Sequence, residues 1–188
     1  MKKQKLFIIG LSLLAVAMVG GTSAFFVTSD RAHNVITTSG VAIELIEDTN
    51  QTGVDGRPIP FTNIENAMPG DSYSKIPKIK NTDNGDAYVR MKLMASVELS
   101  SGETFKISPS LFELDISRSW SPQNGYYVYT RTLHAGETTH PLFTTVKVPK
   151  ELASKYQNAK FSLTILGEAV QAKNNGTNPL DAEGWPEE

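Results

Sequence analysis

The sequence predicts an all-β protein, an antiparallel β-sandwich in a single domain. Three observations predict it. In Ala87 to Leu99, Val89, Met91, Leu93, Ala95, Val97 and Leu99 alternate with Tyr88, Arg90, Lys92, Met94, Ser96 and Glu98. Six apolar residues at period two cannot share one face of a helix, but they line one face of a strand. Short β-rich runs then recur about every 8 to 12 residues between turn residues, the spacing of a sandwich. In the chain beyond residue 24, only Pro149 to Asn158 has a modestly helical composition.

The elements follow in order. Val41 to Glu47 sets Val41, Ile43 and Leu45 on one side of a half-buried strand. Asp48 to Asn66 collects Gly53, Gly56, Pro58, Pro60 and several Asp and Asn residues, and is expected to be a long loop. Pro69-Gly70-Asp71 is a turn signal. In the strand expected over Tyr73 to Lys80, Pro77 lacks a ladder donor, which points to an edge or a bulge. Asn84-Gly85 predicts a hairpin into the long strand. Leu114 to Trp120 and Gly125 to Leu133 flank Ser121 to Asn124, read as a hairpin loop, and His134 to Glu137 is a further turn. Leu142 to Val148 and Phe161 to Ala172 are the last strands, with Gly167 marking a bulge. The polar tail from Lys173, with Trp185 as its one large aromatic residue, is expected to be poorly ordered.

The first thirty residues bear on compartment. Lys2, Lys3 and Lys5 precede the apolar run Leu6 to Val19, after which come Gly20-Gly21 and the small residues Thr22-Ser23-Ala24. The run is short of the roughly 20 residues that span a bilayer, so it reads as a signal helix cleaved between Ala24 and Phe25. Of 188 residues, 164 remain, enough for a real core without disulfides in a chain that has no cysteine. The chain has 18 basic and 20 acidic residues, and three of the lysines precede the cut. The mature net charge near −5 argues against nucleic acid or an anionic membrane as partner. The expected organisation is a signal over 1–24, an extended segment over 25–40, the sandwich over 41–172 and the tail over 173–188.

Five features in this order resemble the TasA and camelysin family of secreted bacterial proteins, which a dedicated signal peptidase processes. They are Gly20 to Phe26, Val41 to Leu45, Met68-Pro69-Gly70-Asp71, Asn81 to Arg90, and Gly125 to Val148; Glu168 to Ala172 also fits. Phe25-Phe26-Val27 stands where many members have an aromatic pair followed by Thr-Asp. The resemblance implies a jelly-roll sandwich, an extracellular biofilm-matrix or cell-surface location, and fibres in which the segment after the cleavage site completes a sheet of the next subunit. On that implication Phe25, Phe26, Val27, Val35 and Ile36 are the assembly residues; the alternative is that Phe25 to Thr38 pairs within its own subunit or is a flexible lead. Their burial in a neighbour would contribute several kcal/mol at roughly 1.5 to 3 per large side chain. The implied partners are other copies of the chain, other matrix or fibre proteins, and the signal peptidase during export, with no cofactor. An accessory subunit that anchors or nucleates another fibre protein satisfies the same residues.

The competing class is an enzyme, because camelysin is classed as a metallopeptidase. The chain has His33, His134 and His140 and no HExxH motif. His134 and His140 flank the turn at Gly136 near Glu137, but no helix holds them and no third ligand is evident. No nucleophile elbow and no cysteine offer a catalytic residue. Asp83, Asn84 and Asp86 lack the spacing of an EF-hand calcium loop, so the expectation is no catalytic and no metal residue. In Tyr126, Tyr127 and Tyr129, alternation puts the last two on one face, and packing accounts for them as well as stacking on sugars does.

Overall fold

The structure is a computed structural model that describes residues 34–38, 41–62, 70–149 and 159–186. The expected signal, the cut at Ala24 and Phe25, and the helical composition of 150–158 lie outside the described residues. Among the described residues there is no α-helix, and two single 3-10 turns occupy Pro109–Leu111 and Pro179–Asp181.

Twelve strands are described: β1 Asn34–Thr38, β2 Val41–Thr52, β3 Pro58–Pro60, β4 Ser72–Ser74, β5 Ile76–Asn81, β6 Ala87–Glu98, β7 Thr104–Ile107, β8 Glu113–Leu114, β9 Trp120–Gln123, β10 Tyr126–Tyr129, β11 Thr145–Lys147 and β12 Lys160–Gln171. All pairings between them are antiparallel. One layer is centred on β6, which pairs along its whole length with β12 and on its other edge with β10 and then β7, with β9 beyond β10. The other layer is centred on β2, flanked by β1, β3 and β5. A separate three-stranded sheet, in the order β4-β11-β8, adjoins it where β4 is followed by β5.

The layers meet over a core drawn from alternating positions. Val41, Ile43 and Leu45 of β2, Ile79 of β5, and Val89, Met91, Leu93, Ala95 and Val97 of β6 are all buried. Leu133, Leu142 and Phe143 close the core from irregular segments, and Leu142 and Phe143 are fully buried. The alternation read in β2 and β6 is therefore the folded alternation.

Four local expectations are corrected. Asp48 to Thr52 continues β2, and Pro58–Pro60 returns as β3, so part of the expected loop is a hairpin arm. Its residues from Asn50 are mostly exposed, so it carries no apolar alternation. Pro77 lies, as its missing donor predicts, on an edge strand, since β5 pairs with β2 alone among the described strands. Its carbonyl accepts from Leu142 N (3.0 Å), which places its imide nitrogen toward the Leu142–Thr144 segment rather than toward β2. The ladder to β2 loses nothing there, because Glu47 and Pro77 face each other as a non-bonded pair.

Asn84-Gly85 does not close a tight hairpin: β5 and β6 belong to different layers, and neither residue has a positive φ. The buried Asn81 side chain shapes this connection. Its Nδ2 donates to Gly85 O (2.7 Å) and Leu133 O (3.0 Å), and its Oδ1 accepts from Asp83 N (3.0 Å). The two-residue Asn-Gly turn is instead Asn124-Gly125, with φ of 50° and 80°, joining Gln123 to Tyr126. The expected loop over Ser121 to Asn124 is accordingly strand up to Gln123.

Gly167 makes no bulge. β12 runs opposite β6 without a register shift, Gly167 facing Met91. A Cβ there would lie 3.3 Å from Ile79 Cδ1 and 3.7 Å from Ile43 Cδ1, so glycine lets the two layers approach. Replacing Gly167 with valine is expected to destabilise the fold by about 1 to 3 kcal/mol through overpacking. Gly167→Ala should cost less, because the Ile79 side-chain end can yield. Denaturant unfolding of both variants measures the difference.

Candidate assembly edge and the histidine cleft

The edge of β2 is divided between two partners. Ile43 pairs with both Ile36 of β1 and Asn81 of β5, and Asp48 with both Pro60 of β3 and Ile76 of β5. A strand has two edges, so β1 and β3 lie end to end along the edge opposite β5. Of the expected assembly residues, Val35 stands opposite Glu44 and Ile36 opposite Ile43. Ala24, Phe25, Phe26 and Val27 lie outside the described residues. Thr38 pairs with Val41, so only Ser39 and Gly40 connect β1 to β2.

His134 and His140 do come to one place, a cleft of about 550 Å³ that Arg131, Thr132, Glu137 and Thr138 also line. His134 Nδ1 is 3.0 Å from Asp86 Oδ1, and its backbone N–H donates to Glu137 Oε2 (3.0 Å). The Asp86 hydrogen bond and charge, followed by the Glu137 charge, raise the His134 pKa above its ordinary 6.5. His140 Nδ1 lies 2.7 Å from Tyr129 Oη, so each imidazole is committed through one nitrogen to its own neighbour. Among the described residues no group of three His, Asp or Glu side chains is placed to hold a metal ion. His33 is outside the described residues.

The outer face of the β6 layer holds a cluster that alternation alone does not reveal. Arg90 donates from Nε to Glu168 Oε2 (2.7 Å), and its Nη2 is 2.6 Å from the same oxygen. The guanidinium lies between two rings, 3.7 Å from the Tyr126 centroid and 4.5 Å from that of Trp185. The side chains of Arg90 and Glu168 are only 14% and 6% exposed, so pairing offsets the cost of burying their charges.

Trp185 reaches this cluster because the C-terminal segment folds back over the sheet. Tyr88 Oη donates to Gly176 O (3.0 Å), Gln123 Nε2 donates to Leu180 O (3.0 Å), and Asn175 exchanges hydrogen bonds with the Glu183 backbone. Pro179 is buried. The expectation of a poorly ordered tail is thus corrected for 173–186: polar groups and one cation–π contact dock it, not an apolar stripe. Tyr127 and Tyr129 face the core as the alternation requires, and Tyr126 packs beneath Arg90.

No protein-family model, curated protein or solved structure matches the chain. The functional reading therefore rests on the residues and their geometry.

Two outcomes follow for these clusters. Removing the carboxylate with Glu168→Ala leaves the Arg90 charge without its partner and should cost about 3 kcal/mol in unfolding free energy. For His134 the folded pKa is the raised one, so its contribution is complete below pH 6.5 and is lost as pH rises through the folded value. Thermal melts should show a small fall in Tm as pH rises above 6.5, which Asp86→Asn reduces.

Proposed function

We propose that the chain is a secreted structural subunit of an extracellular biofilm-matrix fibre. Its sandwich is of jelly-roll type, and subunits join when the N-terminal segment of one completes a sheet of the next. The partners are further copies of the chain and other matrix proteins, with a signal peptidase acting during export.

The observation that carries this reading is the position of β1. It contributes five cross-strand pairs at the margin of the β2 layer and is the first of the described strands. An element so placed can leave without unpairing any other described strand, and its departure opens the Val41–Leu45 edge of β2 to an equivalent strand. Such exchange keeps the same residue pairs while joining two chains, which makes it a low-cost route to association. The expected donor residues Phe25, Phe26 and Val27 lie upstream of it, with residues 28–33 between, and add apolar side chains to the transferred segment.

Because the chain contains no cysteine, single cysteines report the exchange without background. Val35 and Glu44 oppose each other and are not directly hydrogen-bonded, the pairing with the shorter separation. Mature protein carrying Val35→Cys, mixed with protein carrying Glu44→Cys and assembled under mild oxidation, should give covalent dimers. A chain carrying both changes should give a covalent ladder in fibres. Cross-linking confined to single chains during assembly would refute the proposal, as would unchanged fibres, seen by electron microscopy, after deletion of residues 25–39.

A further inference from the structure

We infer that the β2–β3 arm is built to refuse a β-strand from a second copy of the chain, and that Pro58 and Pro60 are the residues that refuse it. The hydrogen bonds on either side of them fix which way their imide nitrogens face. Phe61 N donates to Glu47 O (2.8 Å), and Gly53 N donates to Arg57 O (2.8 Å). Residues 61 and 57 therefore direct their backbone groups inward, toward β2. In an antiparallel ladder the direction reverses at each residue, so Pro60, opposite Asp48, and Pro58, opposite Thr52, direct theirs outward. Ile59 agrees with this, since its carbonyl accepts from Thr49 Oγ1 on the β2 side (3.0 Å).

Both positions that would offer an outward N–H to an incoming strand are thus prolines, which have none. The arm needs such protection. Pro58, Ile59 and Pro60 are all exposed, and Val54 at the tip and Ile59 are among the exposed large apolar residues. A hairpin edge with free donors and apolar side chains is a template for edge-to-edge pairing. With β3 sealed, strand addition along this side of the β2 layer is confined to the half that β1 occupies. The sealing holds whether or not β1 is exchanged between subunits, because it depends only on the hydrogen-bonding capacity of β3.

The test restores the donors. In the mature chain, Pro58→Thr, Pro60→Thr and the double variant each return outward N–H groups without adding apolar surface, so a gain in association cannot come from greater hydrophobicity. Sedimentation velocity over a concentration series should show the double variant associating at concentrations about tenfold below wild type, with the single variants between. Hydrogen exchange should show protection of the amides restored at positions 58 and 60 in the associated form. The inference is overturned if all three variants sediment like wild type, or if association appears while those amides exchange as freely as exposed ones. Neither result depends on the Val35 and Glu44 cross-link, so a failure here and a failure of strand exchange are distinguishable.

Discussion

Twelve consecutive cross-strand pairs between β6 and β12 are the constraint on which the rest of the structure depends. Side chains alternate with period two, so a slip of one residue would turn Val89, Met91 and Leu93 out of the core and bring Arg90 and Lys92 into it. It would also move Gly167 away from Ile79 and Ile43, which lie where its side chain would be. The same register sets Glu168 opposite Arg90, and so fixes the ion pair on the far face. One ladder thereby positions the inner core, the interlayer contact and the docking site of the C-terminal segment.

What could be read in the sequence followed from how each segment meets water. β6 and the first half of β2 are buried on one face in strict alternation, so their strand character and inward residues are visible from the residue pattern alone. The β2–β3 arm is largely exposed and leaves no such pattern. Asn84-Gly85 and Asn124-Gly125 are equivalent as dipeptides; the buried amide of Asn81 claims the backbone around the first, while the second closes a tight turn. The docked C-terminal segment was not legible, since one tryptophan on one guanidinium is a tertiary event without a local period. At the candidate sites, the approach of the two histidines was legible as flanks of one turn, whereas their separate commitments to Asp86 and Tyr129 required the fold.

Polar groups join several of the elements. Asn81 ties the β5–β6 connection to Leu133. Asp115 accepts from the backbone N–H groups of Thr144 and Thr145 and from the Thr144 hydroxyl. Desolvation raises the Asp115 pKa, but those hydrogen bonds outweigh it and leave the carboxyl below its ordinary value. Lys75, buried at the junction of β4 and β5, lies 2.9 Å from Glu47 and 4.1 Å from the centre of the Phe61 ring. Each contact holds an irregular segment against a strand. A chain without disulfides can in this way fix its connections.

The two halves of one β2 edge present opposite solutions to the same hazard. A sheet margin invites pairing, and a protein either blocks it or uses it. Over the β3 half, prolines remove the outward donors. Over the β1 half, the sequence Asn34-Val35-Ile36-Thr37-Thr38 contains no proline, and its β-branched residues favour an extended conformation. Were both halves blocked, the margin could take no strand; were both open, an incoming strand would have no fixed register, since it could settle beside either half. Under the proposed strand exchange, sealing one half would convert a long and ambiguous edge into a five-residue site beside Val41–Leu45, short enough that only a matching segment would pair along all of it. Specificity in such an assembly comes as much from where pairing is forbidden as from where it is allowed.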